Sequence, residues 1–409
     1  MTSRLADAGR WLVHLLARPV RASARQGAVI VQPYRGYGSR EEIFLIGRVF
    51  RQPVLGTERH GVARDLVDLL RRFLRRGLGE AALIARFCGA EERVVTDRDG
   101  YFRVHMRPGR APPAERLWHR IELELMEPAR VTTAGELFIA PVHCRYVVIS
   151  DIDDTVVQTG VANKVMMLWR LFMQGPRSRT AFPGMAALLR ALHQGRSGHE
   201  VNPMLYVSRA PWSIYEVLDE FFRLHRIPIG PILFLREWGL TLQNPLPRRA
   251  PDHKLHLIRN MLALYADLPF VLIGDSGQRD PEVYAQVVHE HPGRVLAIYV
   301  RNVSSDPTRH RAIEELAAEV VAAGSGLLLA ADSLAMARHA TEQGLISPAT
   351  CAQVLAELED EPDRPAAEQD LAGETRQARS EGELQDALEA AGGEEAPHNV
   401  VVEADRQKD

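Results

Sequence analysis

The spacing of hydrophobic residues changes near residue 145 of the chain. Before that point, segments such as EEIFLIGRVF, HRIELELM and GELFIAPV alternate apolar and polar residues, which predicts strands with one buried face. Asp99 and Gly100 separate two further strand-like segments and predict a turn. Residues 61–76 instead repeat leucines at helical spacing. We therefore expect a small β-sandwich over residues 28–145, with one helical insertion.

After residue 145, short apolar runs alternate with amphipathic segments. The runs RYVVIS, PMLYVS, GPILFL, PFVLIG and RVLAIYVRNV predict buried strands, and the segments between them predict helices. This alternation is typical of a parallel sheet covered by helices on both faces. We expect a doubly wound α/β domain over residues 146–325 and further helices over residues 326–358.

The two ends of the chain differ in charge. Residues 359–409 hold 16 acidic and 5 basic side chains and few aromatic ones, so we expect this tail to be disordered. Residues 1–27 form a basic N-terminal segment with five arginines, one aspartate and a stripe of leucines at helical spacing. Two interpretations stay open for it. It is either an amphipathic helix on an anionic membrane surface or a helix packed on the protein body.

Composition and motifs argue against several classes of protein. Three widely spaced cysteines do not predict a disulfide framework and fit a reducing compartment. We find no apolar run of 18 residues that would predict a membrane span. The sequence shows no clustered zinc ligands, no P-loop lysine and no G-x-S-x-G elbow. A basic stripe with interleaved aromatic residues, typical of nucleic-acid binding, is absent too.

Polar side chains gather where the predicted strands end. Ligands of open α/β sheets bind at the carboxyl ends of the strands, so we expect these side chains to share one crevice. They are Asp151, Asp153 and Thr155 after the first strand, Ser208 after the second, Lys254 at the start of a helix, and Asp275 and Asp280 after the fourth strand.

These motifs resemble those of the haloacid dehalogenase superfamily of phosphotransferases. The shared features are D-x-D-x-T, a strand-end serine, a helix lysine and G-D-x-x-x-x-D, in that order. A narrower resemblance is to the catalytic domain of the actin-patch-protein type of phosphatidate phosphatase. It rests on SDIDDTVVQTGVANK, FPGM, YVSRAPWSIYEVLDEF, GDSGQRDPEVYAQ and IYVRNV, and QPYRGYG is similar to a leader of bacterial relatives.

The crowded carboxylates favour Mg²⁺-assisted phosphoryl transfer, because a bound cation offsets their mutual repulsion. We expect Asp151 to attack phosphorus and Asp153 to act as general acid and base. We assign Thr155, Ser208 and Lys254 to the phosphate. The expected metal ligands are Asp151, Asp153 (through its backbone carbonyl, as the resemblance implies), Asp275 and Asp280.

The resemblance implies a Mg²⁺-dependent phosphatase that converts phosphatidate to diacylglycerol and phosphate. Two alternatives stay open: a phosphatase for a soluble phosphomonoester, and a non-catalytic adaptor that keeps the fold. Residues 160–182 are rich in apolar side chains. They form either a lip that contacts acyl chains or a helix packed on the β-domain. We expect a cytoplasmic protein with peripheral contact to the inner membrane surface and no nucleic-acid partner.

Overall fold

A computed structural model describes two β-sheets and the helices that cover the second of them. The described residues are 28–51, 77–152, 184–208, 212–234, 253–360 and 400–402. The predicted N-terminal helix, the helical insertion at residues 61–76 and the apolar segment at residues 160–182 lie outside these ranges.

Among the described residues, the first sheet has eight strands, and its pairing is antiparallel except between β2 and β8. The order is β1-β3-β2-β8-β7-β4-β5, and β6 pairs with β3. The strands are β1 (Val29–Pro33), β2 (Gly36–Gly38), β3 (Ile43–Arg51), β4 (Ala82–Phe87), β5 (Ala90–Val95), β6 (Tyr101–Met106), β7 (Trp118–Leu125) and β8 (Val131–Ile139).

The alternation in β3 and β7 matches the burial of their side chains, so the expected strands are present with one face in a core. Strand β4 was not predicted. It pairs with β5 across Cys88 and Gly89, and both of these turn residues have positive φ. Two positive φ values at the centre of a two-residue loop match the right-handed twist of the strands. The turn at Gly100 is present too, but β6 leaves it to pair with β3 and not with β5.

The second sheet is parallel apart from its last strand, and its order is β11-β10-β9-β12-β13-β14-β15. The chain runs from β9 to one side and then returns to the other, so the strand order reverses at β9. The strands are β9 (Val147–Asp151), β10 (Met204–Ser208), β11 (Ile232–Phe234), β12 (Phe270–Asp275), β13 (Val295–Arg301), β14 (Leu327–Ala330) and β15 (Val400–Val402).

Helices cover both faces of this sheet, as the sequence predicted. One buried cluster includes side chains of α1, α2, α6 and α7, and another includes those of α3, α4 and α5. The protein is therefore of the α/β class. The helices are α1 (Met185–Gln194), α2 (Tyr215–Leu224), α3 (His253–Leu264), α4 (Asp280–Glu290), α5 (Pro307–Ala322), α6 (Ser333–Glu342) and α7 (Pro348–Asp360). Among these helices, none is both long and apolar enough to cross a membrane.

Two expectations for the C-terminal region need correction. Residues 326–358 were expected to be helices alone, but β14 extends the parallel sheet before α6 begins. The tail was expected to be disordered, yet Val400–Val402 pairs antiparallel with β14. These three residues are consecutive valines, whose branched side chains favour strands within an otherwise acidic tail. The rest of the tail after residue 360 lies outside the described residues.

A residue pair between β1 and β2 connects the first sheet to helices that cover the second. The ring of Tyr34 stacks on that of Trp212, with centroids 4.7 Å apart. The backbone N–H of Arg35 donates to the hydroxyl of Tyr215 at 3.1 Å, and its guanidinium forms an ion pair with Asp219 of α2. The segment QPYRGYG thus joins the first sheet to α2. Helix α2 comes after Ser208 in the chain and is preceded by a one-turn 3₁₀ helix.

Candidate active site

Asp151 ends β9, the strand at which the sheet order reverses. Neighbouring β12 ends in Asp275, and α4 begins at Asp280. All three carboxylates are fully buried, and each contributes an oxygen to a group whose members lie within 4.8 Å of one another. The three carboxylates therefore lie together at the carboxyl ends of the parallel strands, which is where ligands of open α/β sheets bind.

Lys254 lies in the first turn of α3 and points into this carboxylate group. Its Nζ is 3.1 Å from Oδ1 of Asp151, and it also donates to Oδ1 of Asp280. Burial alone lowers the pKa of Lys254, but the carboxylates of Asp151 and Asp280 outweigh burial and raise it. The lysine therefore stays protonated, and its positive charge faces the expected nucleophile.

Gln278 is a member of the site that the sequence analysis did not identify. Its side-chain amide donates to Oδ2 of Asp151 at 2.9 Å and to Oδ2 of Asp275 at 2.6 Å. Its backbone N–H also donates to Oδ1 of Asp275 at 2.9 Å. One residue thus links the ends of β9 and β12. Its position inside the G-D-x-x-x-x-D motif was the available signal, but the motif itself leaves that position unspecified.

Gly274 allows Asp280 to approach the end of β12. A Cβ atom at this position would lie 2.7 Å from the Cβ of Asp280, and closer still to one of its carboxylate oxygens. Oδ2 of Asp280 accepts a hydrogen bond from the backbone N–H of Asp275 at 3.3 Å. The glycine of the motif is therefore required by a close contact and not by its backbone conformation.

The remaining predicted site residues fall into two groups. Ser208 is fully buried at the end of β10, one residue beyond Val207, which is the register partner of Asp151. The serine therefore lies at the same edge of the sheet as the carboxylates. Asp153 and Thr155 lie outside the described residues, and their roles stay predictions.

The donor atoms of the site suit a divalent metal ion. Among the described side chains of this group, three carboxylates face one ammonium, so the buried charge is negative unless a cation offsets it. Carboxylate oxygens are the donors that hard cations such as Mg²⁺ prefer. Asp151, Asp275 and Asp280 therefore fit the expected metal, and its binding stays a prediction.

A cleft of about 740 Å³ lies elsewhere, between the first sheet and α2. Gln32, Arg35, Trp118 and Asp219 are among its lining residues. None of the three clustered carboxylates lines it. The cleft is therefore separate from the candidate active site.

Residues 146–302 match the family model for the catalytic domain of phosphatidate phosphatase APP1. This match confirms the narrower resemblance, to the phosphatidate phosphatase catalytic domain, and it covers less than half of the chain. Phosphatidate phosphatase APP1 of Saccharomyces cerevisiae is 31% identical over 166 residues, which cover 40% of this chain and 27% of that protein. An uncharacterized protein of Schizosaccharomyces pombe is 30% identical over 159 residues, which cover 39% of this chain and 25% of that protein.

The chain thus spans about a quarter of the length of these curated relatives. Over the matched segment, it is similar to a phosphoric monoester hydrolase. A solved structure of a carbohydrate acetylesterase from Xanthomonas citri covers 69% of this chain and 71% of its own, at 9% identity and a TM-score of 0.23. A likeness that low carries no argument about fold or function.

Proposed function

We propose that the chain is a Mg²⁺-dependent phosphatase that works through an aspartyl-phosphate on Asp151, with phosphatidate as its substrate. The observation that carries the proposal is the buried contact between Asp151 and Lys254, beside Asp275 and Asp280. A structural ion pair would need one carboxylate for the lysine. Three buried carboxylates around one ammonium cost free energy and are typical of functional sites.

In the proposed reaction, a carboxylate oxygen of Asp151 attacks phosphorus, and the bond from phosphorus to the leaving oxygen breaks. Lys254 offsets negative charge on the transferring group, while Gln278 holds the other side of the Asp151 carboxylate. Asp153 gives a proton to the leaving alcohol and later removes one from the hydrolytic water. Water then cleaves the aspartyl-phosphate, which releases phosphate and restores the Asp151 carboxylate.

Asp151, Asp275 and Asp280 are the described residues that would hold Mg²⁺, together with the predicted backbone carbonyl of Asp153. When bound, the cation supplies positive charge that reduces repulsion between the phosphate and the carboxylates. Ser208 and Thr155 are the proposed hydrogen-bond donors to the phosphate oxygens.

We infer further that the α/β domain has a haloacid dehalogenase-like fold and that residues 28–145 form a β-sandwich-like domain. Reversal of the strand order at β9 supports the first inference. The second inference is supported by β5 and β6, which follow each other in the chain but pair with different strands: β5 pairs with β4, and β6 pairs with β3. A cytoplasmic enzyme with peripheral contact to an anionic membrane fits a lipid substrate. The basic N-terminal segment is the proposed site of that contact.

Phosphate release tests this proposal directly. Purified protein is assayed with Mg²⁺ on phosphatidate in mixed micelles and on a water-soluble phosphomonoester, beside the Asp151→Asn variant. We expect release from phosphatidate that stops in excess chelator and is absent in Asp151→Asn, because an amide does not attack phosphorus. Faster turnover of the soluble compound alone would favour the soluble-substrate alternative. No release from either substrate would favour the adaptor.

A further inference from the structure

Three of the site residues lie in the loop from β12 to α4 or at its two ends: Asp275, Gln278 and Asp280. Within it, Asp275 accepts from the backbone N–H of Gln278 at 2.9 Å, and Asp280 accepts from that of Asp275 at 3.3 Å. These bonds use side-chain oxygens of the loop. The backbone carbonyls of Ser276 and Gln278 accept hydrogen bonds from a side chain that lies on a different element of the structure.

That donor is Arg309. Its Nε donates to the carbonyl of Ser276 at 2.7 Å, and its Nη2 donates to the carbonyl of Gln278 at 2.6 Å. The same guanidinium forms a two-pronged ion pair with Glu282 in the first turn of α4. One planar group therefore holds both the loop and the start of the helix that follows it.

The start of α5 places this arginine over the loop. Asp306 caps the helix by accepting from the backbone N–H of Thr308 at 2.9 Å, and Pro307 occupies its first position. Arg309 follows in the first turn. It lies beyond residues 146–302, so the family match does not include it.

We propose that Arg309 is a positioning residue of the site: by holding the backbone of residues 276–278, it sets the Gln278 amide between the carboxylates of Asp151 and Asp275. The inference rests on the proposed function of that site. Arg309 acts through Gln278, whose amide nitrogen is bonded to both carboxylates. Lysine would not replace it, because an ammonium lacks the planar fork that reaches two carbonyls and a carboxylate together.

The experiment is a double-mutant cycle on Arg309→Lys and Gln278→Met in the full chain. It has two readouts: kcat and KM for phosphate release from phosphatidate in mixed micelles, and the Mg²⁺ dissociation constant from isothermal titration calorimetry. Arg259→Lys is the matched control, because Arg259 also forms a two-pronged ion pair with a glutamate of α4, Glu290. None of the hydrogen bonds described for the 276–278 backbone involves Arg259.

We expect Arg309→Lys to lower kcat roughly 10- to 100-fold with little change in KM, since small displacements of reacting groups cost rates of that order. The double variant should be no worse than Gln278→Met alone in either readout, because both changes remove the same placement of the amide. Arg259→Lys should keep wild-type values.

Losses that multiply in the double variant would overturn the inference, and so would wild-type kcat and Mg²⁺ affinity in Arg309→Lys. A wild-type protein that releases no phosphate but shows the non-additive cycle in Mg²⁺ affinity would refute the proposed function and support the role of Arg309. A protein that neither releases phosphate nor binds Mg²⁺ would refute both.

Discussion

Replacing Arg35 by methionine tests whether the first sheet stabilises the α/β domain. The Arg35 side chain is only 6% exposed and forms ion pairs with Asp219 of α2 and with Glu136 of β8. Methionine keeps most of the apolar stem but removes the charge and its donors. The change therefore removes the ion pair to α2 together with the charged contacts that Arg35 makes within the first sheet, to Glu136 and to the ring of Trp118.

The expected loss follows from the burial of the partners. Removing one member of a buried pair costs about 3–5 kcal/mol when the other charge stays buried. Here the side chain of Asp219 is 20% exposed and that of Glu136 is 62% exposed, so water solvates both after the change. Arg223 also donates to Asp219 at 3.1 Å. We therefore expect a loss of about 2 kcal/mol in the free energy of unfolding.

Urea denaturation followed by circular dichroism measures this loss. Arg86→Met is the matched control, because Arg86 also bonds two carboxylates, Glu91 and Glu124, but within the first sheet and 40% exposed. Exposed pairs contribute little, so this variant should unfold near the wild-type midpoint. An Arg35→Met variant within about 0.5 kcal/mol of wild type would refute the reasoning, since that is the range of ordinary surface substitutions.

Three further changes test other parts of the structure. Asp153→Asn should slow release of an alkyl alcohol by about 10²- to 10⁴-fold and that of nitrophenolate far less, because only the alkoxide needs a proton; equal losses in the two steady-state assays would argue against a general acid. Gly274→Ala should lower kcat at least about 10-fold, because the added methyl displaces Asp280. Gly326→Ala is the control and should keep the wild-type kcat, since its added methyl lies 3.9 Å from His339. Equal kcat values in the two variants would contradict the close contact at Gly274. Burial lowers the pKa of His193 below its ordinary 6.5, although its hydrogen bond to the carbonyl of Asn202 acts in the opposite direction. The unfolded state then binds the extra proton, so stability should fall below about pH 6.5 by up to about 1.4 kcal/mol per pH unit. His193→Gln should reduce that slope in urea titrations at several pH values, and an unchanged slope would assign the acid sensitivity to other groups.

The sequence by itself determined the class of the second domain and most of its site. Buried strands in a parallel sheet are continuous apolar runs, and the carboxyl ends of such strands meet at one edge. Local patterns alone therefore placed five residues together, namely Asp151, Asp275, Asp280, Ser208 and Lys254. The nearness of Asp151, Ser208 and Asp275 follows from strand order, whereas Lys254 and Asp280 approach them from the starts of α3 and α4.

Only the tertiary structure decided how the first sheet is paired. Alternation marks a strand and its buried face, but hydrogen bonds between distant strands depend on the whole sheet. The pattern indicated strands around Gly100, yet β5 pairs with β4 and β6 pairs with β3. Strand β14 was missed for a similar reason. Its apolar run is short, and the length of the run alone does not distinguish a strand from part of an adjacent helix.

The roles of Gln278 and Arg309 also needed the tertiary structure. Gln278 is one residue of a loop whose path brings its amide to two carboxylates on different strands. Arg309 is 31 residues further along the chain from Gln278 and reaches its carbonyl only because α5 packs beside α4. A residue that acts on backbone carbonyls leaves no side-chain pattern in the sequence. Such positions become visible only when separate elements are packed together.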